Sequence, residues 1–176
     1  MKIILNILLL ISLAIFQDNK GGMHHSIING MQNNKNIILL PDIDIDALLE
    51  EDKNAPLGRP FRYGNKFDVN FNLNNSGKWT VLNNGDYLWT LAIESKDAYA
   101  ISLEYDQFYL AEGTSFYVFN PEETTIYGSY TYENNQDDLL FSTPLVEGDI
   151  IYLEFYVPYY VTEESFINID YIIHDY

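Results

Sequence analysis

Three histidines are the side chains of this sequence best suited to act as a general base near neutral pH, and they lie far apart in the chain. His24 and His25 stand near the N-terminus, and His174 stands near the C-terminus. Nucleophilic catalysis needs a serine, threonine or cysteine beside such a base, which a carboxylate usually holds in place. The sequence has no cysteine, and none of its serines lies in a Gly-x-Ser-x-Gly turn. We therefore predict no catalytic residue and expect a non-catalytic protein.

Carboxylates are abundant, with 26 acidic residues against 9 basic ones. A pair of carboxylates at the right separation can hydrolyse a glycosidic bond. With so many acids in one chain, some pair will always lie at such a separation. The abundance therefore indicates an acidic surface rather than a glycosidase.

The acids at alternate positions of 42–46 resemble the first half of a calcium-binding loop. Such a loop also needs a glycine at its sixth position and a bidentate glutamate at its end. Ala47 and Lys53 stand at those two positions. We therefore predict that Asp42 or Asp44 caps a short amphipathic helix instead.

We predict no metal site and no cofactor. His24 and His25 could supply two ligands to a transition metal, but no third ligand stands at a diagnostic spacing. An irregular loop such as 134–138 could bind calcium through carbonyl and carboxylate oxygens. This weaker alternative would be excluded by a calcium titration that left the melting temperature unchanged.

Aromatic residues are the other prominent side chains, with 15 tyrosines, 10 phenylalanines and 2 tryptophans. Tyrosines occupy both odd and even positions in 127–132 and 156–160, and tyrosines together with a phenylalanine do so in 105–109. Some of these rings must therefore point away from the core of a strand protein. An exposed aromatic face could stack on sugar rings or dock a protein partner. The alternative is rings half covered by neighbours, with their hydroxyls in water.

The elements that must position these side chains are strands. From Lys66 onward the hydrophobic pattern has a period of two, beginning with Phe67, Val69 and Phe71. Asn84-Gly85 is a strong hairpin signal between two alternating runs. We predict roughly eight or nine short strands, about ten residues apart. The predicted fold is all-β, an antiparallel β-sandwich of jelly-roll type with one short N-terminal helix; a sheet closed on itself is the alternative.

The N-terminal residues have the pattern of a signal peptide, with a positive start and a short apolar run. We therefore predict a signal peptide at 1–16, a flexible leader at 17–40 and one β-sandwich domain at 41–176. The predicted location is outside the cell or in the periplasm, and an uncleaved membrane anchor is the alternative. Within the leader, 37–40 could form an early strand.

The formal net charge of the whole chain is −17. Because Lys2 would leave with the signal peptide, the exported form would carry about one negative charge more. Such a balance argues against nucleic acid as a partner, since binding to phosphates depends on Lys and Arg. Because the chain has no cysteine, the exported domain must hold together by packing alone.

The order of several short motifs resembles the N-terminal region of secreted trypsin-like serine proteases of the lysyl-endopeptidase type, found in Bacteroidetes-like bacteria. The similarity covers about residues 41–176. The motifs that carry it are Pro60-Phe61-Arg62-Tyr63-Gly64, Ser76-Gly77-Lys78-Trp79, Asn84-Gly85-Asp86-Tyr87-Leu88-Trp89, Gly148-Asp149-Ile150-Ile151-Tyr152-Leu153-Glu154-Phe155-Tyr156 and the closing Ile172-Ile173-His174-Asp175-Tyr176. The protease motifs Gly-Asp-Ser-Gly-Gly and Ala-Ala-His-Cys are not in this chain.

The resemblance implies a pro-region, a β-sandwich that assists the folding, secretion or inhibition of a protease domain. The implied partner is a trypsin-like protease domain, in the same chain or in another one. The hypothesis for its contact surface names Arg59, Arg62, Trp79 and Asp86, which are the few charged or aromatic residues near turns in these motifs. The alternative for Trp79 is a place in the core.

Two other functions stay open at this point. A carbohydrate-binding module would present a line of exposed tyrosines on one sheet face and would be stabilised by a polysaccharide. A cell-surface interaction domain would have no enzyme partner.

Overall fold

The structure of the protein is a computed structural model that describes residues 22–30, 37–56, 58 and 62–176. Nearly half of these residues lie in strands, which form two sheets. The predicted signal peptide, 1–16, lies outside the described residues. Within that described part, no helix is long and apolar enough to cross a membrane.

The described residues form strands, two α-helices and one 3-10 turn at Tyr132–Asn134. The helices are α1 (His25–Ile28) and α2 (Ile45–Lys53). In chain order the strands are β1 (Ile37–Leu39), β2 (Gly64–Asn72), β3 (Lys78–Val81), β4 (Tyr87–Glu94), β5 (Ala100–Tyr109), β6 (Ser115–Phe119), β7 (Ile126–Tyr130), β8 (Phe141–Ser142), β9 (Val146–Glu147), β10 (Ile150–Val157) and β11 (Phe166–Asp175).

The strands divide into a six-stranded and a five-stranded sheet. The first sheet has the order β1-β4-β10-β6-β7, with β3 also paired to β4. The second sheet has the order β2-β11-β5-β8, with β9 also paired to β5. Every pair is antiparallel except β1 with β4. The prediction of a mostly antiparallel β protein is confirmed.

One buried cluster lies between the two sheets and draws side chains from both. Trp89 and Phe155 enter it from the first sheet, and Ile101 and Phe108 enter it from the second. The Phe108 ring stacks on Phe141 with 3.9 Å between ring centroids. Each fully buried side chain of this size stabilises the fold by about 1.5–3 kcal/mol relative to exposure. The core thus joins the sheets without any disulfide.

Helix α2 forms where the sequence predicts a short helix. Asp44 caps it, because its Oδ1 accepts a hydrogen bond from the Ala47 amide at 3.0 Å. None of the helix residues is buried. Arg62 donates to the Leu48 carbonyl at 3.0 Å, and the Tyr176 hydroxyl donates to Asp52 at 2.9 Å. The capping prediction for Asp44 is confirmed, and the helix is held by polar contacts rather than by a core face.

The structure describes residues 22–30 and 37–40 of the predicted leader, 17–40, and both parts contact the first sheet. Residues 22–30, which we call the histidine segment, include α1 and lie on the outer face of the first sheet. Residues 37–39 form β1, which pairs with β4, and Leu40 is buried. The histidine segment packs on the sheet because His24 finds a buried carboxylate partner, Glu154, far along the chain. The local sequence does not reveal this partner. The structure accordingly has two helices where we predicted one.

Candidate functional site

An aromatic cleft opens between the two sheets where β10 ends and β11 begins, and we call it the Trp79 cleft. Its volume is about 290 Å³. It is lined by Leu73, Asn74, Trp79, Phe155, Val157, Glu163, Glu164, Ser165 and Phe166. The floor is apolar, since Phe155 belongs to the core and Val157 packs against it. The two glutamates give the cleft a negative rim.

The indole of Trp79 is held at both its polar and its apolar side. Its Nε1 donates to the Leu73 carbonyl at 3.0 Å, and its ring meets Phe155 edge-on at a centroid distance of 6.1 Å. Trp79 is nevertheless 42% exposed, whereas Trp89, its partner across the β3–β4 ladder, is fully buried. Trp79 is therefore a fixed aromatic surface that a partner can contact.

The turn between β2 and β3 places Trp79 in the cleft. Asn72 and Asn75 each accept the other's backbone N–H through their side-chain oxygens, at 3.1 and 2.9 Å. Gly77 follows with a φ of +72°, and a Cβ there would lie 2.6 Å from the Thr90 carbonyl oxygen and 2.7 Å from the Trp89 ring. Only glycine fits this position without a shift of its neighbours.

Asp86 lies near the same end of the first sheet but is only 4% exposed. Its carboxylate accepts hydrogen bonds from the Tyr156 hydroxyl, the Tyr159 amide at 2.9 Å and the Asn84 side chain. The Tyr156 hydroxyl and then the Tyr159 amide lower the pKa of Asp86, because they favour its charged form. Burial and Asp86 together raise the pKa of Tyr156 to about 12. Asp86 thus joins the β3–β4 turn to the end of β10 and offers little surface to a partner.

Arg62 lies at the opposite end of the sheets from Asp86. It forms ion pairs with Asp52 at 2.9 Å and Glu51 at 3.3 Å, which fasten it to α2. β2 follows Arg62 and begins opposite Asp175, at the end of β11. The start of β11 lies at the other end of the sheet, beside the Trp79 cleft. The fourth predicted contact residue, Arg59, lies outside the described residues. The structure therefore brings Trp79 and Asp86 to one end and separates Arg62 from them.

The first histidine of the pair is buried on the outer face of the first sheet, where sequence reasoning did not place it. His24 is 1% exposed and Glu154 is fully buried. His24 Nδ1 lies 3.1 Å from one oxygen of Glu154, and the Ser26 amide donates to the other oxygen at 3.1 Å. The His24 ring stacks on Phe119 at 3.9 Å. An isolated acid within the otherwise apolar and aromatic run of β10 was the signal that could have indicated this contact.

The second histidine faces a groove of about 530 Å³ beside β6. His25 stacks on Tyr156 at 3.6 Å, and its Nε2 lies 3.1 Å from the Ser115 hydroxyl. Burial lowers the pKa of His25, so its ring is neutral at pH 7. A serine and a neutral histidine at this distance form the first two members of a hydrolytic triad. Among the described residues, however, no carboxylate is hydrogen-bonded to the other ring nitrogen to orient it.

The loop 134–138, the alternative calcium site, uses its amide groups for the fold. Asn135 accepts from the Leu110 amide at 2.8 Å and donates to the Leu110 carbonyl at 2.9 Å. The Asn134 side chain accepts from the Thr131 amide at 2.8 Å. In the part of the chain that the structure describes, no group of three or more His, Cys, Asp or Glu side chains converges to hold a metal ion.

A second hollow of about 240 Å³ lies on the outer face of the second sheet. We call it the amide shelf, since it is lined by Asn70, Asn72, Leu73, Asn74, Gln107, Ser165, Phe166, Ile167 and Asn168. It adjoins the Trp79 cleft across the β2–β3 turn. Sequence analysis missed it because its residues come from three strands that are distant in the chain.

Comparison with known proteins identifies no relative of this chain. The chain matches no protein-family model, no curated protein and no solved structure. The function must therefore be argued from its residues and their geometry.

Proposed function

We propose that this protein is a non-catalytic, exported binding domain that acts as the pro-region of a trypsin-like serine endopeptidase. It would assist the folding, secretion or inhibition of the protease domain, in the same chain or in another one. The ordered motifs from Arg62 to Tyr176 that resemble such pro-regions support this proposal. We also infer that the two sheets form a β-sandwich of jelly-roll type, which the core shared between them supports.

The observation that carries the proposal is the exposed, immobilised indole of Trp79 above an apolar floor. Tryptophan is enriched among the residues that dominate protein–protein binding, and such residues lie in well-packed pockets. The Trp79 side chain is already fixed by Leu73 and Phe155, so a partner would not have to order it. Phe166, which is 46% exposed, extends the apolar surface toward the second sheet.

The charge of the protein favours a basic partner surface. Glu163 and Glu164 line the Trp79 cleft, and the chain as a whole carries −17. Complementary charge speeds the encounter of two proteins and orients them. We therefore propose that a segment of the protease domain carrying both apolar and basic side chains occupies the cleft.

The test is to express a trypsin-like protease domain encoded in continuous frame with this chain, or beside its gene, with and without the chain in trans. We expect a measurable complex and either a higher yield of folded protease or inhibition of its activity. The variant Trp79→Ala should weaken the complex by about tenfold or more, as for a dominant contact residue. Tyr99→Ala is the matched control, because Tyr99 is 75% exposed and hydrogen-bonds through its backbone to Asp175 at the opposite end.

Two results would overturn the proposal. One is a protease domain that folds, is secreted and stays equally active without forming a complex with the chain. The other is a complex that Trp79→Ala and Tyr99→Ala weaken equally, which would remove the cleft from the interface.

A further inference from the structure

The amide shelf is a built array of planar polar groups on an exposed sheet face. Asn168 of β11 stands between β2 and β5, opposite Asn72 and Gln107. Its Nδ2 donates to Asp106 Oδ1 at 2.7 Å, and its Oδ1 accepts from Asn72 Nδ2 at 3.3 Å. The orientation of the central amide is therefore fixed by neighbours on both sides.

The Asn72 side chain is fixed as well. Its Oδ1 accepts from the backbone amides of Asn74 and Asn75 at 3.0 and 3.1 Å. Its backbone N–H is bound by the Asn75 side chain, so the turn and the shelf form one rigid unit. A ligand would meet a polar surface that is already ordered, which lowers the entropy cost of binding.

Other amides of the shelf keep hydrogen-bonding groups available. In the described part of the chain, the side chains of Gln107 and Asn74 form no hydrogen bond, and Asn70 Nδ2 has no acceptor. Each amide can donate two hydrogen bonds and accept two. The shelf thus offers donors and acceptors side by side, which suits hydroxyl groups because a hydroxyl also does both.

An aromatic platform adjoins these amides. The Phe166 ring is 46% exposed and packs against Tyr109 with 6.3 Å between centroids. Tyr109 is held in turn, since its hydroxyl donates to Glu163 at 2.6 Å. A flat apolar ring beside planar amides complements a sugar ring, which has an apolar C–H face and a rim of hydroxyls.

The charges around the shelf argue against an anionic ligand. Asp106 lies directly beside Asn168, and no lysine or arginine lines the hollow. Lys66, farther along β2, is paired with Asp68 at 2.6 Å and lies over the Tyr171 ring. A phosphate or an acidic polysaccharide would therefore meet repulsion without a compensating positive charge.

From this geometry we propose that the amide shelf binds a neutral polysaccharide. Gln107, Asn70 and Asn74 hydrogen-bond its hydroxyl groups, and Phe166 stacks on the apolar face of a sugar ring. This site adjoins the proposed protease contact, and Phe166 lines both. Trp79 lines only the cleft, whereas Asn70 and Gln107 line only the shelf.

The test is affinity electrophoresis of the exported chain through gels that contain laminarin, xylan, soluble starch or, as an anionic comparison, alginate. We expect retardation by at least one of the three neutral polysaccharides and none by alginate. The double variant Asn70→Ala/Gln107→Ala and the single variant Phe166→Ala should each weaken retardation by about tenfold or more. Tyr99→Ala and Trp79→Ala should bind as the unmodified chain does.

Retardation by none of the neutral polysaccharides overturns the proposal, as does retardation by alginate alone. Binding that Phe166→Ala and the double variant leave unchanged also overturns it, provided that their melting temperatures match that of the unmodified chain. Trp79 lines only the cleft, whereas Asn70 and Gln107 line only the shelf, so Trp79→Ala and the double variant together separate the two surfaces. Loss of this proposal would therefore leave the protease proposal standing, and the reverse also holds.

Discussion

At the scale of single residues, Trp79 and Trp89 show what the sequence can and cannot decide. Both face inward, because they are direct partners across the β3–β4 ladder. The hydrophobic pattern therefore predicts a core place for each, which is correct for Trp89. Trp79 lies on a four-residue strand, and among the described strands none pairs with its outer edge, so its ring borders the opening between the sheets. The exposure of Trp79 depends on the order of strands in the sheet, and the hydrophobic pattern of the sequence does not encode that order.

His24 makes the same point for polar residues. Its partner Glu154 is 130 positions away in the chain, and no local pattern in the sequence links the two residues. A buried charge needs a polar partner, so each of the two explains the other's burial. The partner can be identified only once the strands are placed.

The substitution Asp86→Asn tests the carboxylate that joins the β3–β4 turn to β10. The amide carries no charge and has only one oxygen, so it cannot accept all the hydrogen bonds that Asp86 accepts. We expect a melting temperature several degrees lower at pH 7. The pKa of Asp86 is lowered in the folded state, so its stabilisation is fully present above its unfolded pKa of about 4 and is lost as pH falls through the folded value.

The difference in melting temperature between the original chain and the variant should therefore be constant from about pH 5 to 7 and shrink below about pH 4. Thermal unfolding followed by circular dichroism across this range measures it. Asp137→Asn, at an exposed acid, is the control and should show no such difference. If the difference in melting temperature for Asp86→Asn stays unchanged below about pH 4, the Asp86 carboxylate does not stabilise the fold through its charge.

At the scale of elements, the long strands rich in apolar residues are the most predictable. The hydrophobic pattern predicts strands at 150–156 and 166–174, and these correspond to β10 (Ile150–Val157) and β11 (Phe166–Asp175). The two-residue strand β9 and the four-residue helix α1 were missed. Elements this short contain only about one period of a hydrophobic pattern, which is too little to recognise, and tertiary contacts decide whether they form.

The turn before β3 provides a test at this scale through Gly77→Ala. The alanine would have to adopt the positive φ of Gly77, and its methyl group would collide with the Thr90 carbonyl and the Trp89 ring. Gly148→Ala is a matched control, because Gly148 also has a positive φ of +103° but has open space around its Cβ position. We expect Gly148→Ala to cost about 1–2 kcal/mol of unfolding free energy, and Gly77→Ala to cost more than that.

Urea unfolding of both variants measures the difference, and tryptophan fluorescence reports whether Trp79 has moved. A shifted emission maximum is expected for Gly77→Ala alone. Equal losses of stability in the two variants would mean that the close packing at Gly77 contributes nothing beyond backbone strain.

At the scale of the whole molecule, the sequence pattern predicts the fold class better than it predicts the location of any site. The alternating hydrophobic residues and the turn signals suffice for a mostly antiparallel β protein with one shared core. The Trp79 cleft and the amide shelf each require segments that are far apart in the chain to meet at one end of the sheets. Which distant segments come together depends on the sheet topology, so these two sites could not be derived from the linear sequence.

The net charge of −17 yields a prediction for the molecule as a whole. If a basic protease domain is the partner, long-range attraction should raise the rate of association. That rate should fall by about tenfold when the salt concentration rises from roughly 20 to 200 mM, because salt screens exposed charges. Stopped-flow or surface-based kinetics would measure it.

Trp79→Ala serves as the comparison in this experiment, because loss of a short-range contact should raise the dissociation rate and leave the salt dependence of association unchanged. An association rate that does not respond to salt would contradict electrostatic steering.

The arrangement of β1 and β3 along β4 has a further consequence for the solution behaviour of the protein. β1 pairs with the second half of β4 and β3 with the first half, one parallel and the other antiparallel. Together they cover the same side of β4, whose backbone groups would otherwise form a long, straight edge. Exposed edges of that kind recruit strands from other molecules and start aggregation. Two short, mismatched strands leave no continuous edge along this side of β4 for a second copy to extend, which protects this edge of the first sheet from aggregation.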